Sequence, residues 1–123
     1  MAIFACEPAG ALDVMESVKQ SRIVPMPNPN TLADSLQTSL GELVLQILCR
    51  HVTWFFAVEE EEIVQARQFA YERLKLVIKP SSVALLRQEP QLVCKRVGVV
   101  LTGGNVGWLR PWPRLDGVES MQR

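Results

Sequence analysis

The sequence has no excess of either charge, because thirteen basic and thirteen acidic residues cancel over its 123 positions. Without net positive charge or a basic stripe, nothing in the chain would attract nucleic acid or an anionic membrane. No apolar run approaches the roughly 20 residues of a membrane-spanning helix. The first residues also lack the basic start and long apolar stretch of a secretory signal. We therefore expect a cytoplasmic protein with no nucleic-acid or membrane partner.

Cysteine is scarce in this chain. Cys6, Cys49 and Cys94 are odd in number and widely spaced, and none forms a C-x-x-C pair. Such a pattern favours buried thiols in a reducing compartment. The chain is 48% hydrophobic and 21% charged, which is typical of a globular protein, and its length allows one domain. We predict that residues 1–107 form this domain and that residues 108–123, which contain two prolines, form a loosely ordered tail.

Apolar periodicity predicts alternating strands and helices. The predicted strands cover residues 3–6, 53–58 and 97–101, and the predicted helices cover residues 9–20, 41–52 and 59–77, with a short piece over 81–87. This alternation indicates an α/β fold: a partial doubly wound parallel sheet of about three strands, with flanking helices in three layers. The expected core stripe of the long helix is Ile63, Ala66, Ala70, Leu74 and Val77. In the second helix, Leu43, Ile47 and the pair Leu48 and His51 recur at helical spacing.

The third predicted strand runs directly into a polar glycine loop, Thr102-Gly-Gly-Asn105. Open α/β sheets bind their ligands at the carboxyl ends of parallel strands. Glycines let a ligand approach the backbone, and this loop adds a hydroxyl and an amide. The pattern therefore indicates one side of a ligand site, although Gly-Gly and Asn are also ordinary turn formers.

Five short motifs follow one another along the chain: Cys-Glu-Pro-Ala-Gly-Ala-Leu-Asp13, Thr-Leu-Ala-Asp34, Val-x-Glu-Glu-Glu-Ile63, Tyr-Glu-Arg-Leu-Lys-Leu-Val-Ile-Lys-Pro80 and Val-Leu-Thr-Gly-Gly-Asn105. Together they resemble the carboxyl-terminal part of the serine racemase and threonine dehydratase family, over about residues 3–106, with serine racemase the closer match. The resemblance implies the tryptophan-synthase-β fold type. It also implies a pyridoxal-phosphate enzyme that racemises or dehydrates serine through a Schiff base.

The same resemblance assigns cofactor and effector residues. Thr102 matches the hydroxyl residue that hydrogen-bonds the pyridine nitrogen of pyridoxal phosphate, with Gly103 and Gly104 completing that wall of the cofactor site. A neutral hydroxyl leaves the ring nitrogen unprotonated, which suits racemisation or elimination. Lys75 and Asn105 match residues of a nucleotide-binding subunit interface, which implies ATP as an effector and a homo-oligomer. A helix-end charge that complements the dipole is the alternative interpretation of Lys75.

A divalent-cation site is implied by the first motif. Glu7, the backbone carbonyl of Ala11 and Asp13 match its three protein ligands. Oxygen ligands of this kind suit Mg²⁺ or Ca²⁺, with water filling the remaining positions. The alternative is a strand-end acid and a solvated helix acid that bind nothing.

The chain also departs from the family. The Schiff-base lysine, the substrate loop and the tetraglycine phosphate cradle of the family precede the strand with which this sequence opens. Lys79 stands where the family has glutamate, and we interpret it as a surface lysine and not as a substitute Schiff-base lysine. We therefore expect no catalytic residue in this chain and no activity when it is alone. One alternative is a non-catalytic module that pairs with itself or with a full-length family member through exposed strand edges and apolar surface. The other is a product that does not fold stably.

Overall fold

The computed structural model describes residues 1–82 and 95–104 of the chain. In chain order the elements are strand β1 (Phe4–Pro8), helix α1 (Asp13–Gln20), helix α2 (Glu42–His51), strand β2 (Trp54–Val58) and helix α3 (Glu60–Phe69). A π turn over Ala70–Leu74 and short 3-10 turns over Asp34–Leu36 and Pro80–Ser82 complete the description. Asn105, Cys94, the tail and most of the short helix predicted after Pro80 lie outside the described residues. Within them, no helix is both long and apolar enough to cross a bilayer.

The sheet is parallel, with Phe4 opposite Trp54 at one end and Pro8 opposite Val58 at the other. Neighbouring residues of a strand point to opposite faces. On one face Val58 packs with Ile63 and other side chains from α3 onward, and Cys6 lies against the same cluster. On the other face the carboxylate of Glu7 accepts hydrogen bonds from the amino end of α1, and α2 packs against α1. Helices on both faces of a parallel sheet confirm the predicted α/β class.

The predicted third strand does not form among the described residues, where the sheet has two strands in the order β1-β2. Val97 and Val100 are 49% and 79% exposed. Apolar composition does not make a strand by itself, because a strand exists through its ladder of hydrogen bonds to a neighbour. Leu101 nevertheless packs against the core cluster of Val58 and Ile63, so the glycine loop that follows it lies beside the sheet.

The long predicted helix changes geometry before its predicted end at residue 77. It widens into the π turn Ala70–Leu74, and Lys75 then adopts a left-handed conformation with φ of 57°. Ile63 and Ala70 are fully buried as predicted, but Leu74 and Val77 are 45% and 43% exposed. A π turn inserts an extra residue into the helix, so it rotates every later position relative to an α-helical stripe. The predicted core stripe is therefore wrong beyond Ala70.

Helix α2 buries a different face from the predicted one. Leu45 is 7% exposed, whereas Leu43 and Ile47 are 69% and 50% exposed. The helix carries apolar residues on two faces, and periodicity alone cannot choose between them. Its Cys49 is also exposed, contrary to the prediction of buried thiols, while Cys6 is half-buried.

Candidate functional site

Several loops meet at the carboxyl edge of the sheet. The loop after β1 contacts the segment around Asn30, whose backbone N–H donates to the Gly10 carbonyl at 3.0 Å. A side chain at Gly10 would collide with the Asn30 carbonyl, so the close approach requires glycine. The Leu32 N–H donates to Glu60 Oε2 at 2.8 Å, which fixes this segment against the start of α3. Thr31 Oγ1 also accepts from the Ala33 N–H at 3.1 Å, just before the Asp34–Leu36 turn.

The glycine loop is braced against the 3-10 turn Pro80–Ser82. The Lys79 N–H donates to the Gly103 carbonyl at 3.2 Å, and the hydroxyls of Thr102 and Ser82 lie 2.9 Å apart. Gly103 has φ of +79°, and a Cβ built there would stand 2.7 Å from the Cβ of Lys79. Position 103 therefore needs glycine both for its conformation and for space. No atom of the described residues lies within 4 Å of the corresponding point at Gly104, so this part of the chain leaves the outer side of the loop open.

Lys79 is more constrained than the predicted surface lysine. Its Nζ lies 3.3 Å from Ser35 Oγ and 4.0 Å from Asp34 Oδ2, with 28% of its side chain exposed. The ammonium therefore faces the Asp34–Leu36 turn, while the backbone of the same residue holds the glycine loop. Lys79 thus joins two of the five sequence motifs, the one that ends at Asp34 and the one that contains Thr102.

The three residues predicted as cation ligands are all buried. Glu7, Ala11 and Asp13 are 5%, 1% and 6% exposed, so Asp13 is not the solvated helix acid of the alternative interpretation. Glu7 Oε1 accepts from the Val14 N–H at 3.1 Å and Glu7 Oε2 from the Met15 N–H at 2.6 Å.

Burial raises the pKa of Glu7 from 4.5 to about 7; the two N–H groups act in the opposite direction, and the charge of Asp13 adds to the increase. Two buried acids that repel each other suit an oxygen-binding cation, which would neutralise both. No group of three or more His, Cys, Asp or Glu side chains with metal-binding geometry occurs among residues 1–82 and 95–104. The proposed cation ligands include only two such side chains, Glu7 and Asp13, because the third ligand is the backbone carbonyl of Ala11.

Lys75 lies apart from these groups. It is exposed, and its Nζ donates to the Glu72 carbonyl at 2.8 Å at the end of the π turn. This contact matches the helix-end interpretation. Asn105, its predicted companion in a nucleotide site, lies outside the described residues.

The comparisons with known proteins agree with this architecture. A family model described as "Pyridoxal-phosphate dependent enzyme" matches residues 1–103. The chain belongs to this family. The match ends within the glycine loop, so it includes the motifs that hold Glu7, Asp34, Lys79 and Thr102.

Individual members of the pyridoxal-phosphate dependent family are similar over most of this chain. It is 37% identical to L-threo-3-hydroxyaspartate ammonia-lyase of Saccharomyces cerevisiae over 96% of this chain and 38% of that protein. It is 38% identical to serine racemase of Arabidopsis thaliana over 85% of this chain and 34% of that protein. Among solved structures, maize serine racemase matches with a TM-score of 0.77 and 30% identity, over 87% of this chain and 35% of the other. The chain thus spans about a third of the length of these relatives.

Sequence reasoning missed two hydroxyl residues at this edge. Ser82 contacts Thr102 and Ser35 contacts Lys79, across 20 and 44 residues of sequence respectively. A serine shortly after a proline or within a turn is common, and the local sequence around it does not indicate a functional role. The long separation in sequence means that only the folded chain brings these groups together.

Proposed function

We propose that this chain supplies one wall of the pyridoxal-phosphate site of a serine racemase-like amino-acid enzyme and has no activity when it is alone. The substrate class is a small amino acid such as serine, the substrate named for several of its relatives. The chemistry is racemisation or loss of water.

The braced glycine loop is the observation that carries this proposal. Thr102 is exposed, its hydroxyl is held by Ser82 at 2.9 Å, and the space beside Gly104 is open. A flat heteroaromatic ring fits against such a loop, because the glycines put no side chain in its way. The chain's residues therefore fit one edge of the cofactor.

Each group of the loop has a definite task in this proposal. The cofactor, when bound, supplies the electron sink for reactions at the Cα of the substrate. Thr102 Oγ1 would donate a hydrogen bond to the ring nitrogen, and because a hydroxyl is neutral it would leave that nitrogen unprotonated. Gly103 and Gly104 let the ring approach the backbone. Lys79 holds the loop in place through the Gly103 carbonyl.

The proposal extends to the buried acids and to the effector residues. Glu7, the Ala11 carbonyl and Asp13 would bind Mg²⁺ or Ca²⁺, supported by the burial of both acids and their mutual repulsion. Lys75 and Asn105 would contribute to an ATP site between subunits, which rests on the sequence resemblance alone.

An assay of the isolated chain tests the proposal. With pyridoxal phosphate and L-serine, the expected result is no D-serine and no pyruvate, because this chain carries no residue assigned to the covalent chemistry. A full-length serine racemase, such as that of Arabidopsis thaliana, is the positive control. Turnover by the isolated chain above the rate of free pyridoxal phosphate would overturn the proposal.

A non-catalytic interaction module is the second candidate, supported by the outer face of α2. Leu43, Val44 and Ile47 on this face are 69%, 48% and 50% exposed. Clustered apolar residues at a surface favour association with a partner. The partner would be a second copy of the chain or a full-length family member.

Light scattering of the chain alone, and co-purification with a full-length serine racemase, test this second candidate. The double variant Leu43→Glu/Ile47→Glu should abolish any association, since both positions are exposed and the fold does not depend on them. Gln46→Glu on the same helix is the control for added charge. A strictly monomeric chain that does not bind the full-length protein would reject the candidate.

A further inference from the structure

Ser82 and Thr102 form a pair of hydroxyls in which the two members differ in burial. Ser82 is 9% exposed, whereas Thr102 is exposed at the edge of the loop. Their oxygens lie 2.9 Å apart, which is a hydrogen bond in which either could be the donor. The direction of this bond decides what the Thr102 hydroxyl can offer to a ligand.

The surroundings of Ser82 decide the direction. Among the described residues, the Ser82 hydroxyl has one hydrogen-bond partner, Thr102 Oγ1. If Thr102 were the donor, the buried Ser82 proton would have no acceptor among residues 1–82 and 95–104, and an unsatisfied buried donor is costly. If Ser82 is the donor, its buried proton has an acceptor in Thr102 Oγ1. The Thr102 proton is then free to point into the open side of the loop.

We infer that Ser82 is a positioning residue that fixes the Thr102 hydroxyl as a hydrogen-bond donor toward an acceptor held at the glycine loop. The inference rests on the proposed function, in which that acceptor is the ring nitrogen of pyridoxal phosphate. The site therefore selects an unprotonated ring nitrogen, since a protonated or alkylated nitrogen has no lone pair to accept the bond.

The test uses the full chain and 4-deoxypyridoxine 5′-phosphate, which keeps the ring nitrogen and phosphate but has no aldehyde to react with lysines. Binding is followed by NMR through the amide signals of Gly103 and Gly104. Ser82→Ala should weaken binding about three- to tenfold, the value of one neutral hydrogen bond. Ser82→Thr, which restores the hydroxyl, should bind as the parent does.

Two further arms separate positioning from a loss of structure. The probe methylated on its ring nitrogen should bind parent and Ser82→Ala equally, because the bond that Ser82 orients cannot form. Ser82→Ala/Thr102→Val should bind no more weakly than Thr102→Val, because the two residues act as one unit. Unchanged binding by Ser82→Ala, or losses that add in the double variant, would overturn the inference.

A measurement without ligand tests the positioning role of Ser82 separately from the proposed cofactor site. If the probe moves no signal in the parent chain, the loop does not hold the cofactor ring by itself, and the hydroxyl protons then decide the role of Ser82. In cold solution the Ser82 hydroxyl proton should exchange slowly with water and should exchange rapidly in Thr102→Val. A slowly exchanging Thr102 proton, donated to Ser82, would contradict the inference.

Discussion

Glu7 illustrates how one residue serves both the fold and the candidate site. Its carboxylate accepts two N–H groups at the amino end of α1, which otherwise have no partner within the helix. It does so in a buried position next to Asp13, and this environment raises its pKa to about 7. The carboxyl that orients α1 is therefore the same one that a cation would bind.

The raised pKa of Glu7 predicts a specific dependence of stability on pH. Between pH 4.5 and about 7 the folded chain retains a proton on Glu7 that the unfolded chain has lost. The free energy of unfolding should therefore fall as the pH rises through this range and level off above it. Urea unfolding at a series of pH values measures this slope. Glu7→Gln should flatten it, whereas Glu61→Gln at an exposed position should leave it unchanged; an unchanged slope in Glu7→Gln would contradict the account.

Gly103 and Gly104 are adjacent but should respond differently to substitution. Gly103→Ala places a Cβ at φ of +79° and against Lys79, so it should destabilise the chain by about 1–3 kcal/mol. Gly104→Ala meets no atom within 4 Å and should change stability by less than about 0.5 kcal/mol. Urea denaturation of both variants measures the difference, and equal effects would reject the described loop geometry.

The amino end of helix α3 is stabilised by specific hydrogen bonds that its acidic composition alone does not indicate. Four consecutive acids, Glu59 to Glu62, stand at this end of the helix, where negative charge favours the helix dipole. The structure contains a capping box, in which Glu59 accepts from the backbone of Glu62 and the Glu59 N–H donates to Glu62 Oε2 at 3.0 Å. Two of the four acids therefore satisfy backbone groups, which is a more local role than a charge near a helix end.

Loss of the cap should cost measurable stability. Glu59→Ala removes the acceptor for an N–H of the first turn and should lower the free energy of unfolding by roughly 0.5–1.5 kcal/mol. Glu61→Ala removes the same charge at an exposed position of the same turn and should cost much less. Thermal or urea unfolding compares the two. Similar losses would mean that α3 is stabilised by charge alone.

The sequence predicted where elements begin better than how they end or pack. Both observed strands and all three helices were predicted from periodicity and turn residues, most of them to within about four residues at each end. Helix α3 ends at Phe69 and not at residue 77, and the third predicted strand does not form among the described residues. The exposed Leu74 and the exposed face of α2 at Leu43 were not predicted. A π turn and the choice between two apolar faces depend on contacts that form only in the folded chain.

The described part of the chain forms a two-stranded parallel sheet with helices on both faces. Parallel sheets are normally larger and buried on both faces. The chain spans about a third of the length of its relatives, and apolar side chains such as Leu43 and Trp54 are more than half exposed. The exposure fits the view that this segment works together with further structure of the family fold.

The candidate site was predictable to the extent that its parts are continuous in sequence. The glycine loop and the acidic motif were both predicted from the sequence. In the structure, Thr102 lies in a loop held by Ser82, and Glu7 and Asp13 are both buried. The contacts of Ser82 with Thr102 and of Lys79 with Ser35 could not be predicted. They join segments that are distant in sequence, and no local pattern encodes such a pairing.

We propose that this chain holds one wall of a pyridoxal-phosphate site and none of its covalent chemistry. The most direct test is the absorption spectrum of the purified chain after incubation with pyridoxal phosphate and dialysis. The chain should retain no visible band of a lysine-bound cofactor, whereas a full-length serine racemase should retain its band under the same conditions. A stoichiometric lysine-bound cofactor on the isolated chain would contradict the claim.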